Sequence, residues 1–406
     1  MNVIFLDAYT QMPQKASSMT TLTSTIETAF APGLDWIGRW LPLFYVPSLV
    51  VLPVVLKSID ALMLARIAVI IVFGLLSSLI VTAKTAFVIR EAVKTKLVPV
   101  PPAPPVAPFS DGIKIVTAGV GIISLAIASL LGTLPPSATS THAAPLTLFS
   151  AFPRMAATAF LIASTVGGYI AGCELPAGVR KILHPIISTA IAANVGAAVL
   201  AAATGTGYIS VLRFYLLKGS GTGLMGAGDV LMAFLGSVIL SFGFRIFSQR
   251  EIMKRHRYEV FGCVMVSAIF SLLVTTLAGR LIGLEPTLTK AIAPRSVTVA
   301  LALPIASALG GTPETAPITA AAVVLTGLLG AAVAQQTLDA FGFKGDPIAS
   351  GMATAGSAHG LGTAALARDE PEALPFCALA YGLMGIVSTL LVSAKPIADL
   401  LIAIAG

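Results

Sequence analysis

Polar residues that could bind a small ligand occur near the C-terminus of the chain, in a segment flanked by long apolar runs. Ser357, His359, Gly360, Gly362 and Thr363 fall within the short sequence SAHGLGT. Irregular backbone at membrane depth must face protein or line a cavity, because unpaired N–H and C=O groups are costly in lipid. An ionisable residue there is a candidate functional residue. Two interpretations of His359 stay open, a ligand-binding residue or a packing residue whose ring bonds a neighbouring carbonyl.

An arginine stands at the head of a second interrupted segment, the sequence PRSVT at residues 294–298. A guanidinium at membrane depth is costly unless it meets an anion or a carboxylate. A helix N-terminus nearby would add free N–H groups and partial positive charge. We therefore predict that Arg295, Ser296 and Thr298 bind an anionic substrate. The alternative is that Arg295 reaches the membrane interface as a structural anchor.

The sequence lacks the motifs of common enzyme active sites, so we predict that the protein is not an enzyme. A Walker-type glycine loop, an HExxH zinc motif and a GxSxG elbow are all absent from it. The sequence GAGD at residues 226–229 resembles intramembrane aspartyl proteases, whose chemistry needs two carboxylates sharing a proton. No second aspartate lies deep in an apolar segment, so Asp229 is predicted to be a helix N-cap. The scattered cysteines have no metal-binding spacing, and neither a metal nor a cofactor is predicted.

The composition is that of a membrane protein. Of the 406 residues, 56% are hydrophobic and only 11% are charged, and apolar runs long enough to span a bilayer recur along the chain. The net charge of +7 is concentrated in short loops, where it reports topology and not binding to nucleic acid. We predict an all-α, polytopic membrane protein with roughly 11 transmembrane or re-entrant helical segments, some of them interrupted.

Four regions follow one another along the chain. A polar segment at 1–30 precedes a membrane domain at 31–90, whose first apolar segment is interrupted by prolines. A proline-rich linker at 91–110 suits an extended spacer, and a transport domain is predicted at 111–406. The apolar segments of this last region are predicted at 113–134, 146–172, 182–203, 228–247, 258–284, 291–310, 315–341, 347–366 and 374–403, the last one with a short terminal helix.

Basic residues cluster at three places, Lys84–Lys96, Arg180-Lys181 and Arg250–Arg257. These clusters fall on one membrane face if every intervening segment crosses once, which is the pattern that the positive-inside rule expects. We predict that the linker and the loop before residue 258 share that face.

A weak internal repeat relates the interrupted segments. Gly342 lies 59 residues after Gly283, and Pro347 lies 61 residues after Pro286. Paired interrupted segments at corresponding positions indicate a transporter binding site. The alternative is chance similarity among helices rich in Ala, Val, Leu and Gly.

The repeat adds residues to the predicted site. Gly236 and Ser237 occupy the point of an earlier segment that corresponds to Ser296, and they offer hydroxyl and backbone donors only. His359 corresponds to Thr298, 61 residues before it, so His359 is expected near the carboxylate held by Arg295. Because the unperturbed pKa of imidazole is about 6.5, we predict that His359 couples a proton to the substrate.

Several long motifs carry a resemblance to a known family. The sequences FLGSVILSFGF at 234–244, APRSVTVALALP at 293–304 and DPIASGMATAGSAHGLGTA at 346–364 resemble the LrgB (CidB) family, over about residues 184–406. The sequence APGLDWIGRWLPLFYVPSLVVLPVV at 31–55 resembles the second half of LrgA. The chain is thus similar to a family of fused LrgA/LrgB (CidA/CidB-like) membrane proteins. Its LrgA-like part lacks the earlier helices of that half and is expected to be incomplete.

The resemblance implies a multi-pass secondary carrier of the chloroplast inner envelope. It implies that glycolate and glycerate, the small 2-hydroxy monocarboxylates of photorespiration, are the substrates. Transport would be coupled to protons or run as exchange, and the protein would be a homo-oligomer, a dimer. The alternative is a holin-like membrane regulator or pore, because bacterial relatives have been viewed in that way. Met384 replaces an Asn common in bacterial LrgB proteins, so a polar role is not carried over to it.

Overall fold

The fold is described by a computed structural model, which covers most of the chain. The described residues are 25–26, 28–57, 59–94, 108–131, 148–180, 183–217, 225–343 and 345–406. The central part of the predicted linker, most of the predicted N-terminal polar segment, Lys181 and Lys344 lie outside them.

The described residues form helices and contain no strand. Nine of these helical segments are long and apolar enough to cross a membrane, so the prediction of an all-α, polytopic membrane protein is confirmed. In chain order the helices are α1 at 28–40, α2 Pro47–Val50, α3 Leu52–Leu56, α4 Ala61–Val93, α5 Asp111–Leu131, α6 Leu148–Glu174, α7 Ala177–Arg180, α8 Pro185–Thr204, α9 Tyr208–Tyr215, α10 Ala227–Met232, α11 Leu235–Ser248, α12 Arg250–Arg255, α13 Arg257–Ile282, α14 Pro286–Ile292, α15 Val299–Ala308, α16 Ala316–Ala340, α17 Pro347–Asp369, α18 Leu374–Ser393 and α19 Lys395–Ala405.

Prolines interrupt the first span, Thr28–Leu56, as predicted. A 3₁₀ turn at Leu41–Phe44 separates α1 from α2, and Val51 separates α2 from α3. The turn, α2 and α3 each carry a proline at their first or second position, where the missing N–H group costs least.

Helices α4 and α13 lie antiparallel and define the two ends of the bundle. The Arg66 guanidinium at the start of α4 donates to the Gly283 carbonyl after α13, at 2.5 Å. Near the other end, Cys263 lies against the Thr82 carbonyl, and a methyl group on Gly262 would collide with Ile89. The end of α4 and the basic loop at 249–257 therefore share one end of the bundle, as their charges predicted. We call it the basic end.

The chain between α13 and α16 enters the bundle and returns to the same end. Helix α14 begins beside the C-terminus of the chain, since a methyl group on Gly406 would lie 3.2 Å from Pro286. After α15, Gly310 comes back to Lys290, whose ammonium would lie 3.9 Å from an added methyl group. We call residues 286–308 hairpin 1. It is re-entrant from the end opposite the basic end, and its tip, tip 1, is the non-helical stretch at 293–298.

Helix α17 forms a second re-entrant hairpin, which enters from the basic end. Its N-cap, Asp346, pairs with Arg90 at the basic end of α4. The second half of α17 runs back toward the basic end, so that the start of α18 contacts the first turns of α17. There the Cys377 thiol lies 3.4 Å from the Gly351 carbonyl. The backbone breaks at His359, with φ of 44° and ψ of −150°. We call α17 hairpin 2, and we call the break at His359 tip 2.

The two hairpins and the helices before them are related as the repeat predicted. Gly283 and Gly342 follow α13 and α16 with φ of 73° and 74°, the left-handed conformation that favours glycine. The next amide in each copy donates to a carbonyl five residues back, Leu284 to Gly279 and Phe343 to Leu338, both at 2.8 Å. This is the same Schellman motif twice. Each hairpin then opens with proline at the first or second position. The two copies run in opposite directions through the bundle.

The earlier segment assigned to the repeat has a different structure. Helices α10 and α11 meet at a short turn and continue as one candidate span, Ala227–Ser248, so no hairpin forms there. The final apolar segment consists of two helices, α18 and α19, as predicted.

Candidate functional site

Tip 1 and the backbone beside tip 2 both contact α13 inside the bundle. The Ser271 hydroxyl lies 2.7 Å from the Ser296 hydroxyl of tip 1. One turn earlier, the Ser267 hydroxyl donates to the Gly356 carbonyl beside tip 2, at 3.2 Å. Successive turns of a helix are about 5.4 Å apart. The contacts of the two tips with α13 are therefore separated by about one helical turn.

Arg295 is the central residue of this cluster. Its side chain is completely buried. Nε donates to the Thr275 hydroxyl at 3.1 Å, and Nη2 donates to the Ser78 hydroxyl of α4 at 3.2 Å. The predicted alternative, an anchor at the membrane interface, is wrong because Arg295 lies inside the bundle.

Nη1 of Arg295 is buried and has no hydrogen-bond partner among the described residues. None of the described ion pairs joins Arg295 to a carboxylate. A buried guanidinium that lacks a counter-charge is costly. Its free corner is suited to a small anion, because guanidinium binds carboxylate through two parallel N–H···O bonds.

Each tip also carries a buried hydroxyl group, Thr298 in tip 1 and Ser357 beside tip 2. The Ser357 hydroxyl makes no hydrogen bond to a described residue. The Thr298 hydroxyl faces the Tyr381 hydroxyl of α18. Because a buried polar group is normally paired, the Ser357 hydroxyl is available to a polar ligand. Ser296, in contrast, is already paired with Ser271.

His359 is nearly buried, and its ring is held by α16. Nε2 lies 2.8 Å from the Val323 carbonyl, and since a carbonyl only accepts, Nε2 carries the proton. A methyl group on Gly327 would lie 2.6 Å from the imidazole ring, so α16 needs a glycine there. The packing interpretation thus accounts for Nε2, and Nδ1 is the nitrogen that remains for a ligand or a second proton.

The other predicted residues of hairpin 2 shape its return arm. The Thr363 hydroxyl donates to the His359 carbonyl, one turn back in the return arm, at 3.1 Å. A methyl group on Gly362 would lie 2.7 Å from the Ala358 side chain, and one on Gly360 would lie 3.0 Å from Tyr381. These glycines permit close packing of the hairpin.

The structure does not bring Gly236 and Ser237 to this cluster. Both residues are exposed on the outer surface of α11, and nothing lies within 4 Å of a methyl group built on Gly236. Without a hairpin in this segment, no tip carries Ser237 inward.

Asp229 caps the start of α10, although not as the predicted N-cap residue. The N-cap is Gly226, and Asp229 stands at the third helical position, where it accepts from the amides of Leu217 and Gly226 at 2.8 and 2.9 Å. Both hydrogen bonds are structural.

Sequence reasoning missed the residues that support the tips. Ser267, Ser271 and Thr275 are spaced four residues apart on α13, and Ser78 and Thr82 are spaced likewise on α4. Residues four apart share one face of a helix. A polar stripe of this spacing in an apolar span was the available signal.

Two re-entrant hairpins of opposite direction, meeting at a buried polar cluster, define a membrane transporter. The LrgB-like family model matches residues 165–395, and the chain belongs to this family. It is 47% identical over 377 residues to the plastidal glycolate/glycerate translocator 1, chloroplastic, of Arabidopsis thaliana, which covers 93% of this chain and 70% of the relative.

More distant relatives come from bacteria. The chain is 28% identical over 166 residues to antiholin-like protein LrgB of Bacillus cereus (strain B4264) and of Bacillus anthracis (strain CDC 684 / NRRL 3495). Each match covers 41% of this chain and 70% of the relative. No solved structure matches the chain.

Proposed function

We propose that this protein is a secondary carrier of glycolate and glycerate across the chloroplast inner envelope. The observation that carries the proposal is the buried Arg295, whose Nη1 has no partner and whose charge has no carboxylate beside it among the described residues. A small monocarboxylate would supply a hydrogen-bond acceptor for Nη1 and a negative charge beside the guanidinium. The name of the Arabidopsis relative agrees with this substrate class.

In the proposed binding mode, the substrate carboxylate bridges the two terminal nitrogens of Arg295. Nη1 contributes its free N–H groups, and Nη2 contributes the N–H that does not point to Ser78. The 2-hydroxyl of the substrate then pairs with Thr298, which faces Tyr381, or with Ser357, whose hydroxyl makes no hydrogen bond to a described residue. Ser296 orients tip 1 through Ser271.

His359 is the proposed proton-coupling residue. Its Nδ1 is the remaining protonation site, because Nε2 faces the Val323 carbonyl. An empty buried cavity favours the neutral ring, and a bound carboxylate favours the charged one. Substrate and proton then strengthen each other's binding, since coupling between two ligands is reciprocal.

Alternating access would require movement of the hairpins, which enter the bundle from opposite ends. Gly360 and Gly362 let hairpin 2 pack closely against Tyr381 and Ala358 in the conformation described. Movement of hairpin 2 would open the cluster to the basic end, and movement of hairpin 1 would open it to the opposite end. The assembly is proposed to be a homodimer.

Uptake by the purified full-length chain in proteoliposomes tests this function. We expect saturable uptake of labelled glycolate, accelerated by glycerate inside the vesicles, with no release of trapped sucrose. A holin-like pore, the function suggested by the name of the bacterial relatives, would release sucrose and show no saturation. Absence of saturable uptake of either acid would refute the proposed function.

A further inference from the structure

Helix α4 lies beside the cluster although it is outside the residues 165–395 that match the LrgB-like family. It belongs to the predicted membrane domain at 31–90, in which residues 31–55 resemble LrgA. Three of its residues, Gly74, Ser78 and Thr82, contact tip 1 or the residues beside tip 2. They recur on one face of the helix, at the spacing of a helical stripe.

The contact with tip 1 is made by Ser78 and Gly74. The Ser78 hydroxyl is fully buried and accepts from Nη2 of Arg295 at 3.2 Å. A methyl group on Gly74 would lie 2.6 Å from Cζ and from Nε of the same guanidinium. The backbone of α4 therefore packs against the guanidinium at a distance that only glycine allows.

The contact with hairpin 2 is made further along the same face. A methyl group on Gly356 of hairpin 2 would be 3.7 Å from the Thr82 side chain. The Thr82 hydroxyl is buried and makes no hydrogen bond to a described residue. One face of α4 thus contacts tip 1 and reaches the residues next to tip 2.

These contacts determine which corner of the guanidinium is free. Thr275 of α13 and Ser78 of α4 occupy Nε and Nη2, which share one edge of the fork. Nη1 and the second N–H of Nη2 form the other edge, and that edge remains for a carboxylate. Without Ser78 the guanidinium could rotate, because a single hydroxyl does not fix a planar group.

We propose that α4 forms one wall of the substrate site, in which Ser78 and Gly74 orient Arg295 for carboxylate binding. The substrate site is then built by both regions of the chain, and the LrgB-like region is incomplete without α4. This inference rests on the proposed function, since it names a positioning residue for the same anion. Ser78 is a positioning residue because it acts through Arg295.

Neighbouring serines on α4 provide a matched pair of variants. Ser78 contacts Arg295, whereas Ser77 is half-buried and bonds only the Gly74 carbonyl, at 3.2 Å. We expect Ser78→Ala to raise the KM for glycolate about tenfold, the loss of one hydrogen bond to a charged group, with little change in maximal rate. Ser77→Ala should keep a KM within about twofold of the wild type.

A double-variant cycle separates positioning from general packing. In an Arg295→Lys background the fork is absent, so adding Ser78→Ala should change the KM by less than about twofold. An equal effect of Ser78→Ala in both backgrounds would show that Ser78 acts through packing and would overturn the proposal. Equal KM values for Ser77→Ala and Ser78→Ala would overturn it as well.

A binding measurement that does not depend on transport, the shift of Tm by a ligand, tests the role of α4 separately from the proposed transport function. Acetate, a bare carboxylate, should raise the Tm of the detergent-solubilised wild type and of Ser77→Ala. It should raise the Tm of Ser78→Ala much less at the same concentration. If neither acid is transported, the proposed function is wrong and the acetate shifts still decide the role of α4. Identical shifts in the three proteins would refute that role.

Discussion

Hairpin 1 and hairpin 2 occupy equivalent places in the repeat and differ in what their tips can hold. Tip 1 is a six-residue stretch, 293–298, with a permanent positive charge at Arg295. Tip 2 is a break at a single residue, His359, with a titratable ring fixed to α16. The repeated unit thus carries a charged side chain in one copy and a titratable one in the other. In the proposed function, tip 1 binds the anion and tip 2 binds the proton.

The bases of the two hairpins differ as well. The cap of hairpin 2, Asp346, is paired with Arg90 of α4 and accepts from the Ile348 and Ala349 amides. The corresponding residue of hairpin 1, Glu285, is exposed and makes no capping bond. The cap residue of hairpin 2 is thus tied to α4, whereas the cap residue of hairpin 1 makes no capping bond.

The largest expected effect comes from removing the charge of tip 1. Arg295→Gln should lower glycolate uptake at least about a hundredfold, because it deletes a buried hydrogen-bonded charge that the carboxylate needs. The matched control is Arg280→Gln, since Arg280 is exposed at the end of α13 and bonds the Ala403 carbonyl. If the folded Arg295→Gln variant takes up glycolate at close to the wild-type rate, tip 1 does not bind the substrate carboxylate through Arg295.

A smaller effect is expected from the ring of tip 2. His359→Gln should lower uptake about tenfold and flatten its dependence on pH between about 5 and 8, where imidazole titrates. Thr298→Val changes the corresponding residue of tip 1 and should lower uptake without altering the shape of the pH profile. If His359→Gln keeps the wild-type pH profile at a reduced scale, His359 is a hydrogen-bond donor only.

The N-cap residues of the two hairpins, Asp346 and Glu285, can be compared by matched substitutions. Asp346→Asn should lower the free energy of unfolding by about 1–2 kcal/mol, because it removes the charge of a nearly buried pair while asparagine can still cap the helix. Glu285→Gln should change it by less than about 0.5 kcal/mol. Thermal unfolding of the two variants in one detergent gives the comparison, and equal losses would show that the bases are equivalent.

The smallest effect is expected at His256, which lies at the basic end of the bundle, between α12 and α13. Its ring packs edge-on against Phe376 at 5.3 Å, and its Nδ1 lies 3.5 Å from the buried Glu259 carboxylate. Burial lowers the pKa of His256; Glu259 offsets part of this, and Arg255 and Arg90 add to the lowering.

The sign of the pH dependence follows from this lowered pKa. The folded protein binds the proton less well than the unfolded chain, so the stability contributed by neutral His256 is complete above the ordinary pKa of about 6.5. It is lost as the pH falls below that value. We expect the Tm to fall by a few degrees between pH 7 and pH 5, and to fall less in His256→Gln. The same fall in both proteins would assign the pH response to other groups.

Local signals explain why much of this architecture was predictable from the sequence. Glycine after a long apolar helix and proline a few residues later mark a helix end and a new start, and they do so at both Gly283 and Gly342. An arginine or a histidine inside an apolar run stands out by its cost in lipid. The spans, the repeat and the two tips were therefore predictable.

Other parts depend on contacts that no local pattern reports. Ser78 and Arg295 lie 217 residues apart in sequence, and a serine in an apolar helix is usually a packing residue. Ser237 resembled Ser296 in its flanking residues, yet no chain reversal follows it, and its helix continues to Ser248. Small residues recur in all these helices, so similarity among them does not establish a hairpin.

The opposite directions of the two copies have a consequence for how the protein enters the membrane. The first copy begins after the basic run Arg250–Arg257, whereas the second begins after Thr312–Thr315, which contains no lysine or arginine. Because basic residues are retained on one side of the membrane, this difference in charge favours insertion of the two copies in opposite orientations. The charge of the preceding loop, and not the repeated unit itself, distinguishes the two orientations.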